Sequence, residues 1–149
     1  MPPRSVLLLT DHPDDGEMYV AGLAAHGFYV KLADEFDDLA TAIRAGEPDA
    51  VVLDVRLGDQ RLWSQLEAIR CGDLLNVPGI LLTGSIRADG ANRLRARDIG
   101  CAAFVVKPCL PEHLAQILRA VMAGKRGLIV RHPEKYASTE RVEESGEPS

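Results

Sequence analysis

The chain has 149 residues, 46% of them hydrophobic, and a net charge of −5. That length supports one domain with a real core rather than two. The acidic balance excludes nucleic-acid binding through bulk charge, and there is no run of about eighteen apolar residues to cross a membrane.

The first apolar run is Val6–Leu9, which leads through Thr10 into Asp11, Asp14 and Asp15. With one Arg and four apolar residues ahead of acid, the amino-terminal stretch is too short for a secretory signal. A helix is predicted from Asp14 to His26, closed by Gly27, with Asp14 and Asp15 in its first turn, where negative charge suits the dipole. Tyr29–Leu32 is the second strand. In the segment after it, Phe36, Leu39, Ala40 and Ile43 fall at helical spacing, with Asp34 as the expected N-cap and Gly46 at the carboxyl end. Val51–Leu53 is the third strand and ends in Asp54; Leu62, Leu66 and Ile69 mark a third helical stretch. Ile80–Leu82 is the fourth strand and ends in Thr83; a fourth helical stretch closes at Gly100. Phe104–Val106 is the fifth strand and ends in Lys107–Pro108. The last helix carries Pro111 at its first position, Leu110 as a poor N-cap, and an apolar face of Leu114, Ile117, Leu118 and Val121.

Unbroken apolar runs that alternate with helices predict an α/β fold, a doubly wound five-stranded parallel sheet covered on both faces. The domain is expected over residues 1–124. Residues 125–149 read as a polar, largely flexible tail, whose one apolar triplet, Leu128–Val130, has the domain or a partner to pack on. The odd set Cys71, Cys101 and Cys109 matches no zinc spacing, so reduced thiols in a cytoplasmic protein are expected.

In such a sheet the site lies at the carboxyl ends of the strands. Asp11, Asp54, Thr83 and Lys107 each follow or end a different strand there. Together they suit phosphoryl transfer to a carboxylate: aspartate forms an acyl phosphate, and a Mg²⁺ and a lysine neutralise the transferred charge.

The ordered pieces VLLLTD, AVVLD, GILLTG and FVVKP resemble the receiver domain of two-component response regulators over about residues 4–124. The resemblance implies a flavodoxin-like fold with strand order 2-1-3-4-5. It makes Asp54 the phosphoacceptor, supplied by the phosphohistidine of a histidine kinase or phosphotransfer protein. It makes Asp11, Asp54 and the backbone carbonyl of Arg56 the metal ligands. Thr83 and Lys107 become the residues that meet the phosphoryl group, and Phe104 the aromatic switch that rotates inward. The Lys107–Pro108 bond is expected to be cis.

Thr10 stands where the family usually has a second acid, and weakened Mg²⁺ binding is expected from it. Arg87, Arg93, Arg95 and Arg97 enrich the fourth helical stretch. The face of fourth helix, fifth strand and fifth helix is the expected contact surface for a downstream protein or a homodimer. The chain thus reads as a single-domain, non-enzymatic signalling switch acting by protein contacts, without nucleic-acid or membrane partners. The alternative is an interaction scaffold that is not regulated by phosphorylation. Phosphatase, flavin and cobalamin readings fail on spacing: Arg56 stands where a dehalogenase-type phosphatase needs an Asp, TDHPDD is too acidic for a phosphate loop, and His12 directly follows Asp11.

Overall fold

The strands β1 (Arg4–Thr10), β2 (Phe28–Ala33), β3 (Ala50–Asp54), β4 (Gly79–Thr83) and β5 (Ala103–Val106) all run parallel in one sheet. A sixth, β6 (Leu128–Val130), pairs parallel with β5, giving the order β2-β1-β3-β4-β5-β6. The computed structural model describes residues 4–10, 13–54, 64–65, 67, 77–83 and 101–136. Helices α1 (Pro13–Ala24), α2 (Phe36–Arg44), α3 (Pro111–Met122) and the short α4 (Pro133–Tyr136) complete the described elements.

The unbroken apolar runs have the expected cause. Side chains alternate between the two faces of each strand, and both faces are covered. Val6, Leu8, Val30, Val52, Ile80, Leu82 and Val105 pack with Tyr19 and Leu23 of α1 and with Leu114, Ile117 and Leu118 of α3. Leu7, Val51, Leu53, Leu81, Phe104 and Val106 pack with Leu39 and Ile43 of α2. The predicted five-strand order is present as the core of the sheet.

Two expectations shift. The N-cap of α2 is Glu35 rather than Asp34, because the Asp38 carboxylate reaches back and accepts from the backbone amides of both Asp34 and Glu35. The triplet Leu128–Val130 packs on the domain, not beyond it. Leu128 and Val130 are buried in the α1/α3-side core, and their backbone extends the sheet past β5. The described elements therefore continue past residue 124 and run through Tyr136. Residues 137–149 lie outside the described residues.

The helix ends behave as read. Gly27 and Gly46 take positive φ values of 90° and 72°, the left-handed conformation that ends a helix at little cost for glycine. Leu110 caps α3 without a side-chain bond, and Pro111 opens it. No basic residue sits in the last turn of α1. Arg119 of α3 supplies that charge from outside, donating from Nη2 to the His26 carbonyl at 2.9 Å.

Candidate functional site

Strand register brings three of the polar residues to one rim. Thr10 pairs directly with Asp54 across β1 and β3. Lys107 follows Val106, whose partner in β4 is Thr83. Alternation then fixes the face. Thr10 continues the series Val6, Leu8; Asp54 continues Ala50, Val52; Lys107 continues Ala103, Val105, all on the α1/α3 side. The side chains therefore converge rather than merely neighbour one another.

Asp54 is 2% exposed and is the only buried charged residue among the described residues. Its Oδ1 accepts from Lys107 Nζ at 2.8 Å. Its Oδ2 accepts from the Thr10 hydroxyl at 3.0 Å. A buried carboxylate is costly unless paired and hydrogen-bonded, and here both oxygens are engaged. Partial burial works against the Lys107 ammonium. The hydrogen bonds and negative charges of Asp54, then of Asp15, outweigh it and raise its pKa overall.

Asp15 is the residue that the sequence places only in a helix start. It does sit in the first turn of α1, but its Oδ2 also accepts from Lys107 Nζ at 3.2 Å. Lys107 thus bridges two carboxylates. Local pattern gives no sign of this, because Asp15 and Lys107 are 92 residues apart. The one available hint is position: Asp15 opens the helix that follows the strand bearing Thr10.

The segment after Lys107 is held by α1 as well. The Lys107–Pro108 peptide is cis, as expected. One residue on, the carbonyl of Cys109 accepts from the buried Tyr19 hydroxyl at 2.6 Å. Burial, followed by nearby negative charge, pushes the Tyr19 phenol far above its usual range, so it stays a donor. At Gly22 the backbone of α1 meets the ring of Pro111 so closely that an added Cβ would overlap it.

Phe104 lies in the α2-side core, 3% exposed, so its ring is turned inward. Thr83 ends β4, where the sequence places it. Asp11, Arg56 and the four arginines of the fourth helical stretch lie outside the described residues, as do Cys71 and Trp63. Cys101 and Cys109 are free and buried.

The described oxygens at the Asp54 end of the rim are hard donors: the Asp54 carboxylate and the Thr10 hydroxyl. That chemistry fits Mg²⁺, which binds through one or two carboxylates and keeps several waters. No group of three His, Cys, Asp or Glu able to hold a metal occurs among the described residues.

The model of the response regulator receiver domain matches residues 6–119. The transcriptional regulatory protein GltR of Pseudomonas aeruginosa is 30% identical over 80% of this chain and 49% of its own length. The phosphate regulon regulator PhoB of Escherichia coli is 26% identical over 80% of this chain and 52% of its own. This chain thus spans about half the length of these relatives. Among solved structures, the HemR receiver domain of Leptospira biflexa is 28% identical, with a TM-score of 0.67 over 83% of this chain and 97% of that one. A CheY-like receiver domain from Methanospirillum hungatei, 19% identical with a TM-score of 0.68 over 81% of this chain and 94% of that one, shares the fold. The sheet order, the rim of Thr10, Asp54 and Lys107, and these likenesses agree, and the chain belongs to the response regulator receiver domain family.

Proposed function

We propose that the chain is the phosphoacceptor switch of a two-component phosphorelay, with Asp54 as the acceptor. The observation that carries this reading is the buried Asp54 carboxylate, held by Lys107 at 2.8 Å and by Thr10 at 3.0 Å. A histidine kinase or phosphotransfer protein is the donor. A carboxylate oxygen of Asp54 bonds to phosphorus as the phosphorus–nitrogen bond of phosphohistidine breaks, and the imidazole leaves with the electron pair. Lys107 stabilises the charge that develops on the phosphoryl oxygens. Bound Mg²⁺ supplies further neutralisation of that charge; Asp54 and Asp11 would hold it, with the Arg56 carbonyl as the family resemblance implies. The protein acts as a stoichiometric switch in the cytoplasm rather than as a turnover enzyme.

Phosphate at Asp54 shifts a two-state equilibrium, and output passes through contacts with a protein target or a second copy. Phe104 and Thr83, on strands adjacent to Asp54 or to each other, are the elements read as responding. A second reading has one observation in its favour. At the position next to Asp11 a neutral hydroxyl, that of Thr10, is bonded to Asp54. That arrangement suits a scaffold independent of phosphorylation.

Incubation with acetyl phosphate and Mg²⁺, followed by intact mass measurement, separates the two. One phosphoryl adduct is expected, absent in Asp54→Ala. No adduct at saturating donor would favour the scaffold, and an adduct that survives Asp54→Ala would overturn the acceptor assignment.

A further inference from the structure

Asp15, Tyr19 and Gly22 lie four and then three residues apart, on one stripe of α1. Each meets a different point of the segment that carries Lys107. Asp15 accepts from Lys107 Nζ at 3.2 Å, and Tyr19 donates to the Cys109 carbonyl at 2.6 Å. Gly22 admits the Pro111 ring. The far end of α1 is tied to α3 by Arg119 through the His26 carbonyl. One helix therefore grips this segment along its length.

We infer that Asp15 is a positioning residue for phosphoryl transfer: it is the standing partner of Lys107 and, with the Tyr19 and Gly22 contacts, aims the ammonium at Asp54. The inference rests on Asp54 being the acceptor. Two facts give Asp15 this task. Lys107 has a flexible four-carbon stem and is only 20% exposed, so two carboxylates confine its head better than one. Phosphorylation of Asp54 also changes one of those partners, since the carboxylate becomes an acyl phosphate, a mixed anhydride, and the charge moves to the phosphoryl oxygens. Asp15 is not modified in the transfer, so the ammonium keeps its contact there, beside the place where phosphoryl charge develops. Asp15 is 38% exposed and sits in a first helical turn, where a carboxylate is favourable even without the lysine. Its removal therefore leaves the fold standing, and the role is testable without collapse of the protein.

The test compares wild type, Asp15→Asn and Asp15→Glu in two measurements on the full chain. In the first, acetyl phosphate and Mg²⁺ drive adduct formation, followed by intact mass. Asp15→Asn is expected to lower the maximal rate about tenfold, with the half-saturating donor and Mg²⁺ concentrations changed less than about twofold, and Asp15→Glu to restore most of it. In the second, trace acetic anhydride labels lysines without donor or metal, and peptide masses give Lys107 labelling relative to the exposed Lys125. Asp15→Asn is expected to raise that ratio about threefold or more, because the amine loses a partner. An unchanged ratio overturns the inference. So does a maximal rate equal to or above that of wild type, or a shift in Mg²⁺ half-saturation with the maximal rate unmoved, which would make Asp15 a metal residue instead. If wild type takes no phosphoryl group, the acceptor reading fails by itself, and the labelling ratio still decides whether Asp15 holds Lys107.

Discussion

The hydroxyl of Thr10 donates to Oδ2 of Asp54 at 3.0 Å, across the directly paired ends of β1 and β3. An acid at position 10 would put a second negative charge beside a buried one. That repulsion is relieved by a divalent cation, so the acid favours metal and the threonine favours the metal-free site. Wild type is expected to need about tenfold more Mg²⁺ than Thr10→Asp for half-maximal adduct formation. Without Mg²⁺, Thr10→Asp is expected to melt several degrees lower, recovering when Mg²⁺ is added. Equal Mg²⁺ midpoints in the two proteins would contradict this.

Lys107→Met removes the cation from a carboxylate that is 2% exposed. The loss is expected to be about 2 kcal/mol in urea unfolding, less than for a fully buried pair because the lysine is partly exposed. Asp54→Asn removes the charge that needs the lysine. The double variant Asp54→Asn/Lys107→Met is therefore expected to be at least 1 kcal/mol more stable than the sum of the two single changes, roughly the coupling of a contacting pair. Additive single effects would show that the pair is not coupled.

Gly22→Ala improves intrinsic helix propensity by about 1 kcal/mol, yet it is expected to destabilise by roughly 1–2 kcal/mol net. The added Cβ overlaps the Pro111 ring, which is fixed at the start of α3. Gly22→Ala/Pro111→Gly should be more stable than the sum of the two single changes in the same urea titration, because glycine removes both the Cβ and the Cγ that the new methyl meets. A stabilised Gly22→Ala protein would mean that α1 and α3 are not so closely apposed.

Burial pushes the thiols of Cys101 and Cys109 from their ordinary 9.0 to about 12. A pKa raised on folding adds stability that is fully present below the unfolded value and is lost as pH rises toward the folded one. Tyr19 is raised from 10.0 and acts in the same direction. The midpoint in urea is thus expected to fall steadily above about pH 9. In a Cys71→Ser background, the folded protein should react with a thiol reagent at pH 8 at least tenfold more slowly than the unfolded one, since thiolate is the reacting form. Fast native reaction would show that these thiols are not enclosed.

Leu128→Ala is expected to cost about 2 kcal/mol in urea unfolding, because the side chain is buried in the α1/α3-side core at the sheet edge. Ile129→Ala, at a position 40% exposed on the same strand, should cost under about 0.5 kcal/mol. Equal small effects would place β6 outside the cooperative domain.

Much of the fold is legible because its signals are local. The runs at Val6–Leu9, Val51–Leu53 and Ile80–Leu82 are unbroken, as strands covered on two faces require, and Gly27 and Gly46 end helices where left-handed backbone is needed. The triplet Leu128–Val130 is harder: three residues carry too little pattern to tell a strand from an apolar island in a tail. Only the open hydrogen-bonding edge of β5 makes a strand of it. Asp34 is the cap that residue type favours, and Glu35 takes that place where the Asp38 carboxylate reaches back to both amides.

The sequence alone determined the alternation of strands and helices and the order of the rim residues. The faces of Thr10, Asp54 and Lys107 then follow from the period of two along each strand, once packing shows which face Val6, Ala50 and Ala103 take. The tertiary structure decided which partners those residues meet. Lys107 reaches Asp15 across 92 residues of chain, and Tyr19 reaches Cys109 across 90. Such contacts depend on how far α1 is rotated about its axis and how closely Gly22 lets it approach Pro111. Neither quantity is written in any local repeat; both follow from packing the two helices on one face of a twisted sheet.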